Sequence, residues 1–151
     1  MSGNDGLHNQ IAEALANTAT QVIGGTASIN NMRGTYPSPK ASMPPAPITI
    51  IGPPTGRLTP GSSQEIYFIR FPMRVYVGRL RDSSQTMHDV NEWVDAFLIW
   101  YRGGISLGGL VTQAVIESWD TDKFYEIGGE YYQAVDFVIA CEVYNSTTYT
   151  P

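Results

Sequence analysis

The chain is short of cysteine, of lysine, of charge in general and of long apolar runs, and each shortage excludes something. Its 151 residues include one cysteine, Cys141. No intrachain disulfide can form, and nothing ties the fold to an oxidising compartment. Cys141 sits in an alternating apolar run beside Val, Ile, Ala and Glu. There a thiol acts as a small hydrophobe, whereas a nucleophile needs a base and an electropositive setting. Charged residues make up 15% of the chain, and the nine basic residues include only two lysines. With a net charge of −5 and a pI near 4.8, this excludes a coiled coil, a charge-rich disordered chain and a polybasic nucleic-acid module. No apolar run approaches the roughly 18 residues of a membrane span, so no membrane partner is expected. The opening Met-Ser-Gly-Asn-Asp-Gly has neither the basic nor the apolar part of a signal peptide, so the chain is expected to be made and folded in a cytosol.

What is present fits one globular domain, residues 1–151, with a 42% hydrophobic fraction and a length that supports a core without staples. Tyrosine supplies nine of the aromatics, and Gly (15) and Pro (10) are abundant. Charge is polarised along the chain. Residues 31–82 hold seven basic residues (Arg33, Lys40, Arg57, Arg70, Arg74, Arg79, Arg81) against Glu65 and Asp82, a balance of +5. From Gly103 onward seven acids face Lys123 alone, a balance of −6. Solvated surface explains this simply. A subunit meeting copies of itself head to tail explains it more sharply.

The periodicity predicts an α+β fold: a mostly antiparallel sheet of about four strands with two helices on one face. Leu7, Ile11, Ala14, Leu15, Thr18 and Val22 form a helical stripe, with Asn4 or Asp5 as cap and Gly24-Gly25 as stop. A stretch from Asn30 to Ser63 holds eight of the ten prolines and reads as irregular, apart from the short strand Ile48–Ile51. Within it Gly52–Ser63 reads as a flexible arm or hairpin loop between the first two strands. Gln64–Arg79 alternates with period two: Tyr67, Ile69, Phe71, Met73, Val75 and Val77 share one face, and Ile66, Phe68, Arg70, Arg74 and Tyr76 the other. Pro72 in its middle argues for an edge position or a bulge. Thr86 and Asp89 resemble a capping box, followed by the stripe Val90, Trp93, Val94, Phe97, Leu98 and Tyr101. Gly103–Gly109 reads as a linker. Leu110–Trp119 and Phe124–Ile127 read as strand, separated by a turn at Asp120-Thr121-Asp122. In Tyr131–Tyr144, Tyr131, Val135, Phe137, Ile139, Cys141 and Val143 share one face, and Tyr132, Asp136, Glu142 and Tyr144 the other. Residues 145–151 read as a polar tail.

No motif carries chemistry. His8 and His88 lie at helix beginnings with no third ligand evident, and Asp120, Asp122 and Glu126 lack the Gly and Glu of a calcium loop. The Gly103–Gly109 run lacks the Lys-Ser/Thr of a phosphate loop. No catalytic, cofactor-binding or metal-binding residue is assigned, and an enzyme is not expected.

The order of elements resembles the tail terminator (tail completion) family of long-tailed bacteriophages. The likeness is carried by the helix around Ile11-Ala12-Glu13-Ala14-Leu15, the Pro-rich approach Tyr36–Pro47 into Ile48–Gly52, the long strand Tyr67–Val77, the helix Val90–Tyr101 and the final strand Tyr131–Ile139. It covers roughly Leu7–Tyr144. The resemblance implies a virion protein without catalytic residues. Such proteins form a ring, usually a hexamer, on the head-proximal end of the tail tube, where they stop tube polymerisation and meet the neck or head-completion proteins. Genomic DNA passes through the lumen without specific binding, for which a net acidic channel is expected. A head-to-tail ring needs two faces. Arg70 and Arg74 are expected to meet acids of an adjacent subunit, with Tyr76, Arg57, Asp136 and Glu142 as further interface candidates. The rival readings are another neck or minor tail protein, and a small monomeric α+β binding module.

Overall fold

The computed structural model describes residues 6–23, 26–29, 48–58, 65–79, 83–127 and 129–145. In chain order these form α1 (Leu7–Ile23), β1 (Thr26–Ile29), β2 (Ile48–Ile51), β3 (Thr55–Leu58), β4 (Glu65–Arg79), α2 (Ser83–Trp100), β5 (Gln113–Ile127) and β6 (Glu130–Asn145). One sheet runs β1-β2-β4-β6-β5, with β3 also paired to β4. Only β1 with β2 is a parallel pair; the other ladders are antiparallel. β4 and β5 both run antiparallel to β6, which lies between them, so β4-α2-β5 is a crossover with a strand inserted.

Both helices cover the same face. Their apolar stripes, including Ile11 and Leu15 of α1 and Val90, Val94 and Phe97 of α2, join Ile69, Phe71, Met73, Val75 and Val77 of β4. Val135, Phe137, Ile139, Cys141 and Val143 of β6 complete this core. Phe97 and Phe137 lie 5.2 Å apart between ring centroids and link α2 to the middle of β6. The alternation in both long strands therefore selects the buried face as expected. Tyr131 is the exception, being half exposed on that parity.

Several local expectations are corrected. The sheet has two strands more than the four expected, because Thr26–Ile29 and Thr55–Leu58 also pair. β2 and β3 lie end to end along the same side of β4: Ile51 pairs with Met73 and Thr55 with Arg70. Gly52-Pro53-Pro54 bridge the gap, so part of the expected arm is sheet, and 59–63 lie outside the described residues. Pro72 is in the central strand, at neither an edge nor a bulge. Its carbonyl accepts from the Gly52 N–H at 2.8 Å, so its missing N–H faces the point where Pro53-Pro54 already interrupt the ladder.

Helix starts also differ. The Gly6 carbonyl accepts from the Gln10 N–H at 3.0 Å, which makes Gly6 the residue that opens α1; Asn4, Asp5 and Gly24-Gly25 lie outside the described residues. α2 begins at Ser83, which places Thr86 inside its first turn rather than at its cap. Gly103 and Gly104 end α2 with φ of 77° and 87°, and a Cβ on Gly104 would lie 2.9 Å from Gln113 Oε1. The Gly103–Gly109 linker is tied to the sheet by an Ile105–Ala114 bridge.

The expected turn at Asp120–Asp122 is a bulge within the continuous strand β5. Gln133 Nε2 reaches across from β6 and donates to the carbonyls of Thr121 (3.0 Å) and Lys123 (2.9 Å). The Asp122 N–H meanwhile donates to Asp120 Oδ1 at 2.9 Å. The local turn chemistry is real, but a partner strand absorbs it.

Two substitutions check this account by urea unfolding. Phe97→Ala is expected to cost about 3–5 kcal/mol, since it empties the contact on Phe137. Gln133→Leu is expected to cost about 1–2 kcal/mol, because the carbonyls of Thr121 and Lys123 lose their donor.

Candidate functional site

The face of the sheet away from the helices carries all six expected interface residues. In a strand pair, residues opposite one another share a face. Arg57 of β3, Phe68 of β4, Glu142 of β6 and Gln113 of β5 form one such row. Arg70 is opposite Thr55 and Ala140, Arg74 is opposite Ile50 and Asp136, and Tyr76 is opposite Ile48 and Ala134. The six candidates therefore lie on one surface, where Arg57 is exposed, Glu142 half-buried and Tyr76 fully buried.

The structure brings four side chains into a polar cluster there. Arg74 Nε donates to Asp136 Oδ1 at 2.7 Å, and Nη2 lies 3.4 Å from Oδ2. The Tyr125 hydroxyl donates to the same Oδ2 at 2.7 Å. The Tyr125 ring also lies under the guanidinium, with Arg74 Cζ 3.7 Å from its centroid, a cation–π contact in a site largely withdrawn from water. Tyr76 meets Tyr125 edge-on at 6.0 Å and lies beside the Arg74 side chain. Burial works against the guanidinium charge, but the bonds to Asp136 and the nearby Tyr76 hydroxyl outweigh it and raise its pKa above the ordinary value. Arg74 therefore stays charged at every accessible pH. Ile50, Tyr76, Tyr132 and Ala134 pack as a small second core beneath the cluster, with Tyr125 against them.

The acids that Arg70 and Arg74 hold belong to their own chain: Arg70 Nε bonds to Glu117 at 2.6 Å. Arg74 is only 10% exposed and Asp136 26%. Reversing the charge of Arg74 therefore tests the fold of the protomer rather than a contact with a neighbour. Chemically the cluster fastens β4, β5 and β6 across the uncovered face.

Elsewhere, His88 was expected to lack further ligands, yet α2 brings its ligand atom within 4.8 Å of those of Asp89 and Glu92. One helical turn separates His88 from Glu92. The separations of 3.6–3.7 Å on an exposed surface make this a loose polar ladder along the helix. Asp120 pairs with Lys123 at 3.6 Å.

Inside the helix-side core, the Tyr101 hydroxyl and Thr49 Oγ1 are buried without a hydrogen-bond partner among the described residues. Burial pushes the Cys141 thiol from 9.0 up to about 12. Burial, with Cys141 close by, raises Tyr101 as well. Cys141 is thus the core thiol the sequence indicates.

Sequence reasoning missed Glu117, Tyr125 and Gln133, because each acts only through a cross-strand neighbour fixed by register. It also missed the exposed apolar side chains Ile99, Trp100, Trp119 and Phe124. Among the described residues, no helix is long and apolar enough to cross a membrane. A comparison with protein-family models finds no match, and no curated protein is significantly similar.

Asp136→Ala is expected to cost about 3 kcal/mol, the low end for a buried pair because Asp136 is partly exposed. Tyr125→Phe is expected to cost about 1–2 kcal/mol. Both are read from the urea midpoint. For Cys141 and Tyr101 the folded pKa lies above the unfolded one. Their stabilisation is complete below about pH 9 and is lost as pH rises toward 12. The slope is about 1.4 kcal/mol per pH unit for each group ionised only when unfolded. A urea midpoint that held constant from pH 9 to pH 11 would contradict this.

Proposed function

We propose that this chain is a structural virion protein of the tail terminator kind. Copies close into a ring, six in number, on the head-proximal end of a phage tail tube. The ring ends tube polymerisation and joins the tail to a neck or head-completion protein, with genomic DNA passing through the lumen. The observation that carries this reading is the element order itself. The amphipathic α1, the short strand Ile48–Ile51, the long β4, α2 and the long β6 belong to one sheet with both helices on one side. These are the pieces on which the family resemblance rests.

The surface supports the same reading. A ring subunit must present apolar area to its neighbours, and interfaces favour Trp, Tyr, Phe and Arg over Lys and Glu. Half-exposed Trp100, Trp119, Phe124 and Tyr131 and a basic complement of seven arginines to two lysines suit that need. The lumen is lined by residues of the acidic part after Gly103, since phosphate contacts from Lys or Arg would hold DNA that has to slide.

Electron microscopy of the purified chain, alone and with assembled tails, tests the proposal. The expected outcome is a closed ring of six at the tube end nearest the head, with tubes of uncontrolled length when the gene is deleted. A different ring number, or a position away from the tube end, reassigns the chain to another neck or minor tail component. An Arg-lined bore contradicts the acidic lumen.

A further inference from the structure

Among the described residues, the exposed large apolar side chains other than Met87, in the first half of α2, gather in two places. Phe124 (54% exposed) and Tyr131 (50%) lie near the far end of the β5–β6 hairpin, edge to face with centroids 6.0 Å apart. Half-exposed Trp119 continues the same face toward the middle of β5. Ile99 (63%) and Trp100 (43%) lie at the end of α2. That helix end adjoins the start of β5, because Ile105 pairs with Ala114. Phe124 is ten residues further along β5, so the two patches are roughly 30 Å apart.

Charge distinguishes the patches. Glu126 is opposite Tyr131 on the face that carries Phe124, and Asp122 is in the adjacent bulge. Neither acid has an ion-pair partner among the described residues. Arg102 follows Trp100 by two residues, is exposed and is likewise unpaired. Arg57, the other arginine with a described side chain and no such partner, is at the same end of the sheet, where β3 pairs with the first part of β4. Among the described residues, an apolar patch beside two acids outside any ion pair thus lies at one end of the protomer, and an apolar patch beside Arg102, with Asp95 one turn before Ile99 on α2, at the other.

We infer that these are the two halves of one contact between copies of this chain: the β5–β6 hairpin of one protomer seats Phe124 and Tyr131 against Ile99 and Trp100 of the next, with Glu126 facing Arg102. The halves are different surfaces at opposite ends, so the contact is heterologous and propagates head to tail, as a ring requires. Aromatic side chains supply the buried area, and the charges set direction and suppress like-to-like pairing. The inference rests on the ring reading and names the surfaces that build the ring.

Sedimentation velocity of the full chain over a concentration series tests it, with circular dichroism to confirm that each variant folds. Wild type is expected to self-associate. Phe124→Ser combined with Tyr131→Ser is expected to weaken association about tenfold or more. Glu126→Arg and Arg102→Glu are each expected to weaken it, and the two together to restore it to within a few-fold of wild type. Self-association that none of these changes affects overturns this inference and leaves the ring reading standing. A wild-type chain that stays monomeric at high concentration overturns both.

Discussion

The structure depends on β4 being paired along both edges and packed on both faces. Its 15 residues pair with β2 and β3 on one side and with β6 on the other, so β4 joins the β1–β2 pair and β3 to the β5–β6 hairpin in one sheet. On the helix side it offers Ile69, Phe71, Met73, Val75 and Val77 to α1 and α2. On the other side Arg74 and Tyr76 face Tyr125 and Asp136. A strand committed on four sides tolerates a proline only where a donor is not wanted. Pro72 occupies such a point, opposite the break that Pro53-Pro54 make between β2 and β3.

The uncovered face shows how polar residues fasten a sheet that no helix covers there. The guanidinium of Arg74 is withdrawn from water, which alone would be costly. Two contacts to Asp136 and the Tyr125 ring, with Tyr76 alongside, offset that cost. The same physics appears at Gln133, whose amide donates to two carbonyls at the β5 bulge. Both devices allow a long strand to carry polar residues, and even a local turn sequence, without leaving the sheet. They also lock the β5–β6 hairpin against the central strand, which gives its exposed aromatics a rigid base.

That rigidity bears on the proposed function. In the ring proposed above, a subunit would have to hold two different surfaces at a fixed angle, and a stiff sheet with a patch at each end would do so more reliably than loops. The polarised charge of the chain acquires a more specific form in three dimensions. Arg70 and Arg74 are consumed by Glu117 and Asp136 within the protomer, whereas Asp122, Glu126 and Arg102 are left to the surface.

The two helices, the long strands β4 and β6 and the faces they bury were legible in the sequence, because period 3.6 and period two are local consequences of one-sided burial. Thr26–Ile29 and Thr55–Leu58 were not, since four residues carry no usable period and become strand only when β2 or β4 offers a ladder. Asp120–Asp122 was misread for the converse reason: its turn chemistry is local, whereas Gln133 reaches it only once the β5–β6 hairpin has formed. For the candidate site, Arg70, Arg74, Tyr76 and Asp136 were visible as residues on the second faces of their strands. Which acid meets which arginine depends on register, and a slip of one residue would send every side chain to the other face. The sequence by itself therefore determined the class of fold, the buried stripes and the inert core thiol Cys141. Only the tertiary structure decided the pairing of charges, the second core under Tyr125 and the two apolar ends, because these depend on residues that become neighbours only when the strands align.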